Sequence, residues 1–125
     1  MNNIEKPLKR ILLISRQPPY AGNLARAALD TTLAAAAFDQ APSLLFIGDG
    51  VLQLLAQQDS SGIGSRNHAK VLASLPLYDI EHYYVEAKAL VDYHIRADQL
   101  PPQAQILTRE EIHQLFDEHD HVLSF

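Results

Sequence analysis

None of the 125 positions holds a cysteine. That excludes disulfides, thiolate metal sites and any mechanism in which the chain's own sulfur attacks or carries a group. Long apolar runs are missing too. None approaches the ~20 residues of a membrane span, and Met1-Asn2-Asn3-Ile4-Glu5-Lys6-Pro7 has no signal-peptide core, so a cytoplasmic protein is expected. Basic charge is scarce: 10 Lys and Arg stand against 15 Asp and Glu, for a net charge of −5. No basic patch is visible, so direct nucleic-acid binding is not expected. There is no Gly-x-Gly-x-x-Gly, no phosphate-loop lysine and no Gly-x-Ser-x-Gly, which leaves Ser15, Ser60, Ser61 and Ser65 without a nucleophile's context.

What is present is the material of one folded domain over residues 1–125. Apolar residues make up 47% and charged residues 20%, an ordinary balance for a chain long enough to bury its own core. The organising stretch is Pro42-Ser43-Leu44-Leu45-Phe46-Ile47-Gly48-Asp49-Gly50-Val51. Leu44 to Ile47 is an unbroken apolar run, the pattern of a strand covered on both faces. It stops at Gly48-Asp49-Gly50, where glycine permits a sharp turn and Asp49 can cap a helix over 51–57.

Ile11-Leu12-Leu13-Ile14 is a second buried-strand run, ended by Pro18-Pro19. Asn23 is the expected N-cap of an alanine-rich helix over 24–38, with Leu24, Ala28, Thr31, Ala35 and Phe38 on one stripe and Leu29 and Leu33 beside it. Residues 58–67 read as a polar, glycine-rich surface loop. Helices are expected over 69–75, 88–95 and 109–119, the last opened by a capping box between Thr108 and Glu111. Strands are expected near 10–15, 43–48, 83–87, 104–108 and 122–125. Tyr83 and Tyr84 then face opposite ways. This alternation predicts a three-layer α/β/α fold around a mainly parallel five-stranded sheet.

Candidate sites are few. Gly22-Asn23 could hold an anion at a helix start, but a simple cap is the preferred reading. The six histidines include His113, His119 and His121 near Glu118 and Asp120, at no standard metal spacing. His119 and His121 are read as solvated, and no metal or other cofactor is expected. Asp49 is the best-placed carboxylate and nothing joins it in a catalytic set. In open α/β sheets function gathers at strand ends, so Asp49 and Gly50, with Tyr78 and Asp79, form the candidate interface.

The pieces Lys9-Arg10-Ile11-Leu12-Leu13-Ile14, Leu45-Phe46-Ile47-Gly48-Asp49-Gly50-Val51-Leu52-Gln53-Leu54-Leu55, Leu77-Tyr78-Asp79-Ile80-Glu81 and Val122-Leu123-Ser124-Phe125 together resemble the TusC/DsrF family. The resemblance runs through nearly the whole chain in order. It implies a DsrEFH-like subunit of a TusBCD-type sulfur-relay complex, a hexamer of two heterotrimers with TusB-type and TusD-type paralogues. Such a complex takes persulfide sulfur from TusA and passes it through TusE toward 2-thiouridine at the tRNA wobble position. In DsrF-bearing sulfur oxidisers the related complex serves oxidation instead. The reactive cysteine is implied on the D-type partner, and a chain without cysteine agrees with a non-catalytic role. Two other readings stand beside it: a stand-alone module holding a small anion or nucleotide, and an enzyme using Asp49 with a histidine.

Overall fold

The computed structural model describes residues 9–19, 22–38, 40–55 and 63–125, the side chains at 63–67 and 69 excepted. Residues 1–8, and 56–62 with the ends of the expected 51–57 helix and 58–67 loop, lie outside the described residues. Five strands, β1 (Arg10–Ser15), β2 (Ala41–Phe46), β3 (Tyr83–Glu86), β4 (Ala104–Leu107) and β5 (His121–Ser124), form one sheet in the order β4-β3-β2-β1-β5. All four pairings are parallel.

The apolar runs form strands because both faces of the sheet are covered. Leu13, Leu44, Phe46, Tyr83 and Val85 enter one core. Leu12, Ile14 and Leu45 enter the other, where Tyr84 is partly buried. Tyr83 and Tyr84 therefore do face opposite ways. Tyr83 meets Phe46 edge-on at 5.3 Å, and burial pushes its phenol up to about 12. The first core is closed by α1 (Leu24–Ala37), with α2 (Ile63–Ser74) and α3 (Ala87–Asp92) packed alongside. The second is closed by α4 (Arg109–Asp117) through Ile112 and Leu115.

β2 begins at Ala41, two residues before the expected start, although Pro42 lacks an N–H. Ala41 N–H donates to the Lys9 carbonyl, so the Pro42 nitrogen points toward β3. β3 pairs only with Leu45 and Phe46, so no ladder bond is lost there. α2 begins at Ile63, so residues 63–67 are helical and not loop. Gly64 lowers helix propensity by roughly 1 kcal/mol, and the packing of Val71 and Leu72 further along outweighs it.

The sheet-facing stripe of α1 is Ala25, Ala28, Leu29 and Thr32, rotated from the expected one. Leu24 and Phe38, the two ends of that expected stripe, are 46% and 78% exposed. The small arc wins because it lets the helix lie close to β1 and β2. Thr32 is tolerated in it because its hydroxyl donates to the Ala28 carbonyl at 2.7 Å. Asn23 sits at the N-cap but caps with no side-chain bond; its carbonyl accepts the Ala27 N–H. The Thr108–Glu111 capping box forms as expected. Ala28 is fully buried against the sheet, so Ala28→Leu overpacks this contact and is expected to cost ~1–3 kcal/mol in urea unfolding. An unchanged midpoint would mean the helix can lift away freely.

Candidate functional site

The chain after β2 does not form the expected α-helix. Gly48–Leu54 is a 3-10 segment. Gly48 turns at φ 52, and its N–H donates to the Glu86 carboxylate at 3.0 Å. Asp49 caps nothing; its carboxylate accepts a hydrogen bond from the Tyr93 hydroxyl, which pushes the Tyr93 pKa up. Gly50 is buried, and a Cβ there would lie 2.0 Å from the Ser15 carbonyl oxygen. Only glycine permits that approach. Asp49 thus stands exposed at the carboxyl edge of the sheet, with Gly50 seated beneath it.

Under this turn runs a buried polar chain that residue spacing does not announce. The Gln53 amide nitrogen donates to Ser15 Oγ at 2.7 Å and to the Gln17 carbonyl at 2.8 Å. Its oxygen therefore faces His68 Nε2, at 2.8 Å. Since Gln53 Oε1 can only accept, His68 must carry its proton on Nε2. Ser15 Oγ accepts from the Gln53 amide nitrogen and is only 1% exposed, so Ser15 is not a free nucleophile. Burial lowers the His68 pKa, the nearby Arg26 lowers it further, and Asp30 opposes them.

Tyr78 and Asp79 lie at the other end of the sheet. Leu75–Tyr78 is a 3-10 turn ended by Asp79 at φ 65, and it leads into β3. The two halves of the candidate interface are therefore at opposite edges: Asp49 and Gly50 follow a strand, whereas Tyr78 and Asp79 precede one. Tyr78, 45% exposed, borders a groove of about 600 Å³ with Ala36, Gln40, Ala41, Pro42, Asp79 and Ile80. Leu77 beside it is 84% exposed.

The histidines do not converge. His119 is not simply solvated: Nδ1 donates to the Leu115 carbonyl at 2.6 Å and Nε2 accepts from Ser43 Oγ at 2.9 Å. His121 is exposed on β5, and His113 is exposed on α4. Among the described residues no three His, Asp or Glu side chains are grouped to hold a metal. Asp49 is partnered by Tyr93, and no hydrogen bond among the described residues joins it to a histidine.

A sequence profile of the DsrE/DsrF-like family matches residues 9–125, which spans all five strands. The chain belongs to the DsrE/DsrF-like family. It is 32% identical over 114 residues to the protein TusC homolog of Pseudomonas aeruginosa, covering 91% of this chain and 96% of that one. With the protein TusC homolog of Vibrio parahaemolyticus it shares 33% over 118 residues, covering 94% and 100%. The crystal structure of the ychN protein from E. coli has the same fold, with a TM-score of 0.76 at 18% identity over 94% of this chain and 100% of that one. The fold expected of the DsrE/DsrF-like family is thus the fold observed.

Gln53 had a legible signal, a lone amide inside Val51-Leu52-Gln53-Leu54-Leu55. His68 had none, since its surroundings read as loop. Because the folded state keeps His68 below its usual 6.5, it binds fewer protons there than the unfolded chain. This contribution to stability is complete above about pH 6.5 and falls as the pH drops through the folded value. Urea unfolding at about pH 7.5 and about pH 5.5 is expected to show a larger loss for the natural chain than for His68→Gln. Equal losses would remove His68 as the cause.

Proposed function

We propose that this chain is a non-catalytic subunit of a TusBCD-type sulfur-relay complex. One observation carries the reading: a member of the DsrE/DsrF-like family, most of whose length matches TusC homologs, has no cysteine on which sulfur could ride. A thiolate is what attacks a persulfide, and no other side chain replaces it. The reactive cysteine then belongs to a TusD-type partner, with a TusB-type subunit completing a heterotrimer and two heterotrimers a hexamer. TusA delivers sulfur and TusE removes it, toward 2-thiouridine at the tRNA wobble position. The setting is the cytoplasm. Among the described residues no helix is long and apolar enough to cross a membrane.

In this reading the chain works through what it holds in place. Tyr78 and Asp79 supply one contact, with exposed Leu77 widening the apolar patch. Asp49, held by Tyr93 over the buried Gly50, supplies another at the opposite edge. A permanent hetero-complex buries well over ~1,000 Å² with aromatic anchors near its centre, and Tyr78 fits that role.

A strain lacking this chain, complemented with the natural sequence or with Tyr78→Ala, tests the reading. The null strain is expected to lose 2-thiouridine, measured by mass spectrometry of tRNA nucleosides. Tyr78→Ala is expected to weaken co-purification of the two partner subunits by at least ~2 kcal/mol while circular dichroism stays unchanged. If the null strain keeps its 2-thiouridine, tRNA thiolation is excluded and the DsrF-type role in sulfur oxidation takes its place. Normal assembly of Tyr78→Ala would move the anchor elsewhere.

A further inference from the structure

α4 lays Ile112 and Leu115 on the sheet and carries Arg109, His113 and Phe116 along one flank. With Ile112, and with Glu86 and Lys88 from the junction of β3 and α3, that flank lines a cavity of about 340 Å³. The charges in this cavity are not equivalent. Glu86 already accepts the Gly48 N–H at 3.0 Å, and Lys88 is bound to Asp92 at 2.8 Å. Arg109 has no ion pair among the described residues. It is also the first residue of α4, where a cation has the wrong sign for the helix dipole. A chain of net charge −5 thus presents a guanidinium without an ion pair at this cavity, beside the apolar Ile112 and Phe116 of the same helix. Phe116 is 41% exposed.

We propose that this cavity docks an acidic, apolar segment of a partner polypeptide, one carboxylate on Arg109 and one apolar side chain on Phe116 and Ile112. The unpaired guanidinium and the apolar pair beside it select the occupant. The guanidinium presents a planar fork that a carboxylate fits in two parallel hydrogen bonds, and the neighbouring His113 adds a ring nitrogen. From Arg109 to Phe116 the helix rises about 10 Å at roughly 1.5 Å per residue. An extended chain sets side chains on one face every second residue, about 7 Å apart at roughly 3.3 Å per residue, and the reach of the long acidic and guanidinium side chains covers the remaining few ångströms. The inference goes beyond the sulfur-relay reading and does not require it.

The test uses two peptides that differ in charge alone, acetyl-Phe-Ala-Glu-amide and acetyl-Phe-Ala-Gln-amide, titrated into the isotopically labelled full chain and followed by amide NMR. The Glu peptide is expected to give saturable shifts at Arg109, Ile112, His113 and Phe116. The Gln peptide is expected to bind at least about tenfold more weakly, since it cannot engage the guanidinium as an ion pair. Arg109→Gln keeps the Thr108–Glu111 capping box and should bind the Glu peptide no better than the Gln peptide. Equal affinities of the two peptides for the natural chain would overturn the proposal whatever the variant does. So would shifts confined to other residues, or none at millimolar peptide.

Discussion

One amide side chain ties the carboxyl edge of this sheet together. Gln53 spends its nitrogen on Ser15 and the Gln17 carbonyl and its oxygen on His68, joining β1, the 3-10 segment and α2. The tie forms only because Gly50 lets the 3-10 segment rest on the Ser15 carbonyl, where any side chain would collide. The Ser15, Gln53 and His68 side chains are buried, and leaving one unsatisfied costs ~1–3 kcal/mol. Three of the four buried polar side chains among the described residues, Ser15, Gln53 and His68, belong to this one chain of bonds.

The consequence for function is that the edge where an open α/β sheet usually does its chemistry is here closed with structure. The buried Ser15 Oγ accepts from Gln53, Asp49 is held by Tyr93, and the Glu86 carboxylate accepts from the Gly48 backbone. With no thiol anywhere in the sequence, what remains on display is surface: Tyr78 and Leu77 at one end of the sheet, Asp49 and the Arg109 flank toward the other. Such a molecule suits an assembly in which another subunit carries the reacting group.

Much of this was readable from residues alone, for physical reasons. The runs Ile11 to Ile14 and Leu44 to Ile47 announce strands covered on two faces, and no competing pattern blurs them. The Thr108–Glu111 box is purely local and so is visible locally. The face of α1 was not, because Leu24 and Phe38 are apolar yet stand at the helix ends, beyond the reach of the sheet. Residues 63–67 read as loop because Gly62, Gly64 and Ser65 favour turns, and only distant packing makes a helix of 63–67. His68 meets Gln53 across fifteen residues of chain, a juxtaposition no spacing rule contains. The separation of Asp49 from Tyr78 likewise follows from strand direction, which a list of loops does not convey.

The central claim is that sulfur passes through the assembly without ever resting on this chain. The direct measurement is intact-mass analysis of the purified complex after incubation with a persulfidated carrier. The account predicts a gain of one sulfur, about 32 Da, on a cysteine-bearing partner and none on this chain, which offers no thiolate to attack the outer sulfur. A stable gain of about 32 Da on the cysteine-free chain itself would contradict it.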